Sequence, residues 1–333
     1  MADRLQTTLT QHIQRQQRGH PEATGQLSAL LTQLGVAGKL IAAQVRRAGL
    51  VEVWGVTGDT NVQGETVQKL DRLAQDTFVD TLQASGTVAC MASEEENSVI
   101  EVPARLAGDY VIAFDPLDGS SNIEANVSIG TIFAIYKRHD PHEVLRKDVL
   151  RPGREQIAAG YIVYGSSTML VYTAGQTVDG FTLDPSCGEF FLTRENIRMP
   201  ERTKILSVNE GNEPYWPAWV SPYLAEIKGR NDADKRRIIS RHIGSLVSDF
   251  HRNLVYGGIF LYPVDSRSPK GKLRVLYECN PLAFIAEVAG GAATDGKQRI
   301  LDIEPEHLHQ RSGLVIGPKA DVELAAQMVR EHE

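Results

Sequence analysis

Cysteine is scarce in this chain of 333 residues: Cys90, Cys187 and Cys279 are the only three, widely spaced, with no C-x-x-C pair. An odd, scattered set argues against a disulfide framework or a cysteine zinc site and fits reduced thiols in the cytoplasm. No unbroken apolar run approaches the roughly 20 residues of a membrane span. The first residues are polar (Arg4, Gln6, His12, Gln14, Arg15) and lack the apolar centre of a signal peptide. A cytoplasmic protein with no membrane partner is therefore expected. Positive charge is also short, with a formal net charge of -7. The one basic run, Lys235-Arg236-Arg237 near Arg230 and Arg241, is interrupted by Asp232 and Asp234, as on a solvated helix face. Phosphate backbones reward clustered Lys and Arg, so nucleic acid is not an expected partner. Internal repeats and low-complexity tracts are absent.

What is present is apolar patterning, at 42% hydrophobic residues, enough for a large core or two domains. Residues 1 to about 23 read as a loosely docked arm. Thr24 is then an expected N-cap for a helix carrying Leu27, Leu30, Leu31, Leu34, Leu40, Ile41 and Val45, with a stop at Ala48-Gly49. A second helix is expected over Glu65–Leu82, with Val67, Leu70, Ala74, Phe78 and Leu82 on its stripe. Strands are expected over Thr87–Ala92, Tyr110–Phe114 and Val127–Tyr136, and a hairpin over Tyr161–Tyr164 and Met169–Tyr172. Apolar residues on both faces predict a sheet covered by helices on both sides. A boundary falls near Met199-Pro200-Glu201, dividing the chain into 1–200 and 201–333. Beyond it come strands at Ile205–Val208, Gly258–Tyr262 and Leu273–Tyr277. A helix is expected over Arg241–Leu254, and another capped by Asn280 with Pro281 first and Gly290-Gly291 after it.

Carboxylates stand where apolar elements stop. Glu94 and Glu95 close one strand, and Asp115 and Asp118 follow the next. Ligand sites in α/β sheets favour such strand ends. Packed carboxylates repel, and a hard divalent cation relieves that repulsion through oxygen ligands. In Asp115-Pro116-Leu117-Asp118-Gly119-Ser120-Ser121, Pro116 bends the chain so that both Asp face one point. Gly119 allows close backbone approach, and the Gly119, Ser120 and Ser121 N–H groups can cradle a phosphate. Metal ligands beside an anion nest point to phosphoryl chemistry. Asp71 sits on the apolar stripe of its helix, where an acid is either paired or a base orienting water. Period-two alternation places Lys272, Arg274, Leu276 and Glu278 on one strand face, two cations and a carboxylate suited to a phosphate beside a metal.

With these residues in view, the chain resembles class 1 fructose-1,6-bisphosphatase, within the Mg²⁺-dependent, lithium-sensitive sugar and inositol phosphatases. The D-P-[IL]-D-G-[ST] core is common to that superfamily. FDPLDGSSNIEANVSIGTIFAIY, NVQGETVQKLD, YGGIFLYP and SPKGKLRVLYECNP are particular to the bisphosphatase, and the likeness runs from the Thr24 region to the Ile300s. The resemblance implies an α/β (α+β layered) fold with alternating helix and sheet layers and two subdomains. The first would carry the metal cluster and a vestigial or altered AMP-type site, the second the sugar-phosphate site. It implies a homotetramer and hydrolysis of the 1-phosphate of fructose 1,6-bisphosphate, in gluconeogenesis or the Calvin cycle. Two or three Mg²⁺ per subunit, or Mn²⁺, would be held by Glu94, Glu95, Asp115, the Leu117 carbonyl, Asp118 and Glu278, with Glu65 near a further position. Asp71 with Glu95 would activate water, and Arg274 would offset phosphoryl charge. Substrate contacts would fall on Asp118, Gly119, Ser120, Ser121, Asn209, His242, Tyr262 and Lys272. Arg241 would reach the neighbouring subunit's site to hold the 6-phosphate.

The resemblance also implies an AMP-type pocket at Thr24, Gly25, Gln26, Leu27 and Ser28, with Tyr110 and Lys137. Asp109 stands where AMP-sensitive relatives carry lysine, and Lys137 where they carry arginine, so weak or absent AMP inhibition is expected. His242 and Asn212 each replace a tyrosine near the 6-phosphate contacts. The cysteine-bearing insertion of the chloroplast form has no counterpart, which argues against thioredoxin control. The rival readings are a sedoheptulose-1,7-bisphosphatase or dual sugar bisphosphatase, and a sugar-phosphate-binding pseudoenzyme acting as a sensor.

Overall fold

The computed structural model describes residues 7–20, 23–48, 50, 56–60, 66–139, 145–233 and 238–332; for 56–60, 66–68, 145–146 and 230–233 it describes the backbone. Glu65, Gly49 and the basic run Lys235-Arg236-Arg237 lie outside the described residues. Among the described residues the α-helices are α1 (Leu9–Gln17), α2 (Gln26–Val45), α3 (Lys69–Gln83), α4 (Leu145–Val149), α5 (Val220–Ala233), α6 (Leu246–Tyr256), α7 (Asn280–Val288) and α8 (Lys319–His332). A small ribbon pairs β1 (Val56–Thr60) with β2 (Thr66–Gln68). The large sheet uses β3 (Val88–Ser93), β4 (Ile100–Glu101), β5 (Tyr110–Asp118), β6 (Ile129–Lys137), β7 (Ala158–Tyr164), β8 (Thr168–Thr173), β9 (Val178–Asp184) and β10 (Glu189–Arg194). Its order is β10-β9-β8-β7-β6-β5-β3-β4. A second sheet, ordered β12-β11-β13-β17-β15, uses β11 (Ile205–Val208), β12 (Ile239–Ser240), β13 (Gly258–Tyr262), β15 (Gly291–Thr294) and β17 (Leu314–Pro318). The pair β14 (Leu273–Arg274) and β16 (Arg311–Ser312) stands apart.

Buried side chains show how these elements stack. Leu30, Leu34 and Ile41 of α2 and Phe78 and Leu82 of α3 pack on one face of the large sheet, against Ile112, Phe114 and Ile162. Leu246, Val247 and Phe250 of α6 and Leu282 and Ile285 of α7 pack between its other face and the second sheet, touching both Tyr161 and Ile316. Val220, Tyr223 and Ile227 of α5 and Val322 and Ala325 of α8 cover the far side of the second sheet. The result is five alternating layers, helix, sheet, helix, sheet, helix, as expected. Strands covered on both faces must be apolar on both, which is why β3, β5 and β7 are buried throughout.

Several expectations are corrected. Residues before Ala23 are not all a loose arm. Thr8 and Gln11 form a reciprocal capping box, and Leu9 and Ile13 of α1 are buried on the core. Thr24 is not the cap of α2. Gly25 is, with φ of 85° and no side-chain bond. By length and composition α2 could cross a membrane, but Thr32, Gln33 and Lys39 interrupt its apolar residues and its inward side chains fill the core described above. Helix α3 starts at Lys69 because Thr66–Gln68 pair with β1. Helix α6 starts at Leu246, not Arg241, because the buried Asp249 carboxylate takes the Ile243 and Gly244 N–H groups and Gly244 turns with φ of 86°, which keeps both outside the helix. Leu273–Tyr277 is a strand for two residues only. The chain then winds into a π-type turn at Val275–Cys279 that runs straight into α7, so Asn280 lies inside the helical run and caps nothing.

Candidate active site

The strand β3 pairs in parallel with β5, Ser93 opposite Phe114. Their C-terminal ends therefore meet on one edge, and Glu94 and Glu95 come beside Asp115. Asp115 and Asp118 are three residues apart, and in a regular strand they would point to opposite faces. Strand β5 does not stop at Asp115 as expected. It continues to Asp118 with one extra residue: Asp115 pairs Ile132 while Asp118 pairs Gly130. That bulge restores both Asp to one side. The Thr131 hydroxyl donates to the Pro116 carbonyl at 2.9 Å, and the Leu117 N–H donates to Asp115 Oδ1 at 2.9 Å, which pins the extra residue.

Glu278 arrives from the turn after β14, and period-two alternation does not describe how. The Arg274 N–H donates to Glu278 Oε2 at 2.6 Å across one turn, so the carboxylate folds back toward its own strand. Asp115, Asp118 and Glu278 each offer an oxygen within 4.8 Å of the others, and all three are buried. Burial first, then the Glu94, Asp118 and Glu278 charges, pushes Asp115 well above the usual carboxylate range. Burial and Glu94 raise Glu278 likewise. Asp118 is raised to about 6 by burial, against the lowering effect of the Val247 N–H and the Ser245 hydroxyl. Three acids that resist ionising together in a dry corner are the donor set a divalent cation fits, since its charge removes the repulsion that raises them. Arg274 Nη2 lies 3.1 Å from Glu94 Oε1 and links the two halves of the cluster.

These carboxylates close one end of a cleft of about 520 Å³. Asp71, Glu94, Glu95, Asp115, Leu117, Asp118, Gly119, Ser120, Ser121, Asn209, His242, Tyr262, Lys272, Arg274 and Glu278 all line it. Asp71, on the first turn of α3, is buried. Next along that face, Gln75 accepts from the Ser93 hydroxyl at 2.6 Å, and Ser93 Oγ accepts the Glu95 N–H at 3.2 Å, tying α3 to the acidic turn. Lys272 lies over the Tyr262 ring at 5.8 Å. Arg241 does not line the cleft. It is exposed, and its backbone is fixed by the Leu206 carbonyl and Arg252.

Sequence reasoning missed the group that holds Asp118. The Ser245 hydroxyl donates to Asp118 Oδ2 at 3.1 Å and the Val247 N–H donates to it at 2.8 Å. The start of α6 thus holds a carboxylate of the acidic cluster. A serine just before the apolar Leu246-Val247 pair was the available signal, and starting the helix at Arg241 hid it.

A second cavity, about 490 Å³, lies beneath α1 and the start of α2. Thr24, Gly25, Leu27, Ser28 and Tyr110 line it; Gln26 and Lys137 do not. Lys137 pairs across the sheet with Tyr110, and Asp109 and Lys137 are both exposed.

The layered fold and the acid-lined cleft, with the Gly119–Ser121 turn on its wall, are those of a phosphatase. Residues 7–195 match the family described as Fructose-1-6-bisphosphatase, N-terminal domain, and 199–330 its C-terminal domain. The chain belongs to the fructose-1,6-bisphosphatase family. It is 52% identical over 324 residues to the class 1 fructose-1,6-bisphosphatase of Chloroherpeton thalassium, covering 96% of this chain and 92% of that one. It is 51% identical over 322 residues to that of Chlorobium luteolum, covering 96% and 97%. The holo crystal structure of Leishmania major fructose-1,6-bisphosphatase superposes with a TM-score of 0.91 at 40% identity, covering 97% of this chain and 99% of that one.

Proposed function

We propose that this protein hydrolyses the 1-phosphate of fructose 1,6-bisphosphate to fructose 6-phosphate and phosphate, with two or three Mg²⁺, or Mn²⁺, per subunit. The observation that carries this reading is the buried triad of Asp115, Asp118 and Glu278 at the closed end of a cleft that also holds Lys272 and Arg274. Glu94, Glu95 and the Leu117 carbonyl complete the oxygen donors, and Glu65 is assigned to a further position. Bound there, divalent cations supply Lewis-acid charge to the phosphate and acidity to a water. The chain supplies the rest. Asp71, with Glu95, accepts the proton of the attacking water. The Gly119–Ser121 turn offers N–H groups and two hydroxyls to the phosphoryl oxygens, and Arg274 offsets the charge they gather. Water attacks phosphorus in line as the bond to the sugar oxygen breaks. Asn209, His242, Tyr262 and Lys272, with Arg241 of a neighbouring subunit in a homotetramer, hold the far phosphate and thereby the reacting geometry. The part before residue 200 is assigned most of the metal ligands and the AMP-type cavity; the part after it, the sugar-phosphate contacts and Glu278.

Phosphate release is the test, across fructose 1,6-bisphosphate, sedoheptulose 1,7-bisphosphate and inositol monophosphate, with Mg²⁺ or a chelator. Mg²⁺-dependent turnover of the fructose ester, lost on chelation and by Asp118→Asn, is expected. Faster turnover of the sedoheptulose ester would reassign the substrate. Sugar-phosphate binding without turnover would make the protein a sensor instead.

A further inference from the structure

The acidic turn Glu94–Glu96 is tied to its own sheet at its start. The Glu94 N–H donates to the Phe114 carbonyl at 3.1 Å, and the Glu95 N–H to Ser93 Oγ at 3.2 Å. Its exit is held from 213 residues away: His309 Nε2 lies 3.0 Å from the Glu96 carbonyl oxygen. A carbonyl only accepts, so Nε2 carries the proton. Burial lowers the imidazole pKa, so the ring is neutral near pH 7, with one N–H to give.

The same segment grips the other metal-bearing strand. Strand β16 pairs Arg311 with Arg274, and the Val275 N–H donates to the Gln310 carbonyl at 2.8 Å. The His309 ring lies against Tyr277, centroids 5.6 Å apart, one residue before Glu278. His309 thus touches the turn that carries Glu94 and Glu95 and the turn that carries Glu278.

We propose that His309 is a positioning residue: through its Nε2–H bond to the Glu96 carbonyl it sets the Glu94–Glu95 turn in register with Arg274 and Glu278 before any cation binds. The proposal rests on the reading of those acids as metal ligands. Outer contacts of this kind commonly govern metal affinity by about 10- to 100-fold.

Two substitutions separate the hydrogen bond from the packing. Glutamine can place an amide N–H where Nε2 stands, whereas asparagine reaches only the Nδ1 position. The readouts are amide hydrogen exchange over residues 93–99 in the full-length, metal-free protein, and Mn²⁺ titration followed by calorimetry. His309→Asn is expected to speed exchange of the turn by about fivefold or more and to weaken Mn²⁺ binding about tenfold. His309→Gln should stay close to the wild type in both. Unchanged exchange and affinity in His309→Asn overturn the proposal, as does equal loss in both variants. A lowered thermal midpoint with unchanged Mn²⁺ affinity would mean packing alone and also overturns it. Should His309→Asn not fold, the glutamine variant decides: wild-type exchange supports the Nε2 donor, and fast exchange overturns it. If the wild type binds no Mn²⁺, the metal reading fails, while metal-free exchange still judges His309.

Discussion

Gly119→Ala isolates the contact between the Gly119–Ser121 turn and the start of helix α6. Gly119 has φ of +81°, and a Cβ there would stand 2.7 Å from Ser245 Cβ and 2.8 Å from its Oγ. Ordinary contact begins at 3.4 Å, so the serine must retreat by roughly 0.7 Å. The left-handed backbone costs an alanine about 1–2 kcal/mol, and overpacking of a tight site adds about 1–3 kcal/mol. Ser245 cannot retreat freely, because its hydroxyl bonds to Asp118 Oδ2 and neighbours Ser248. A displacement of this size at a reacting centre costs on the order of 100-fold in rate. The assays are urea unfolding and steady-state phosphate release, with Ser245→Gly and the double variant closing a cycle. Removing the serine side chain opens the space, so the double variant should recover part of the rate lost by Gly119→Ala. A Gly119→Ala enzyme with native stability and native kcat would refute the argument. A fully additive cycle would refute the contact as its cause.

Arg241→Ala should raise KM for the bisphosphate roughly 10- to 100-fold, the worth of one charged hydrogen bond, with a smaller change in kcat. Mixing it with Asp118→Asn should restore sites in hybrid oligomers, and no recovery despite subunit exchange would place Arg241 in its own subunit's site. If the cavity under α1 takes AMP, inhibition should be weak, because Asp109, exposed beside the cavity-lining Tyr110, adds negative charge near it, and Asp109→Lys should strengthen inhibition. Wild-type inhibition by micromolar AMP would refute this. His251, bonded to the Tyr161 hydroxyl at 2.8 Å, has its pKa lowered by burial from 6.5 to about 4. Between those values the unfolded chain binds a proton that the folded one refuses, so stability is full above pH 6.5 and falls on acidification. The loss from pH 7 to 5 is about 2 kcal/mol, and His251→Phe should show that much less pH dependence in unfolding; equal slopes would refute the assignment.

The buried runs of β3 and β5, the acids that follow them in sequence and the family itself were legible in the sequence, because apolar runs and the Asp115–Ser121 segment are local patterns; that β5 runs on through Asp115 to Asp118 was not. So was the covering of the large sheet on both faces. Tertiary structure alone decided how the acids converge. The extra residue of β5 depends on Thr131, a strand away, binding the Pro116 carbonyl. Glu278 joins the cluster through a helical turn that starts where β16 stops pairing, which alternation along β14 could not foretell. Asp118 is held by the start of α6, 127 residues on, and that start is set by Asp249 drawing Ile243 and Gly244 out of the helix. Local periodicity records which face a residue shows to its neighbours in sequence. Where a strand bulges or a helix begins is settled by specific side-chain hydrogen bonds, from the neighbouring strand at Thr131 or from within the turn at Asp249, which periodicity does not record, and the site is assembled from those positions.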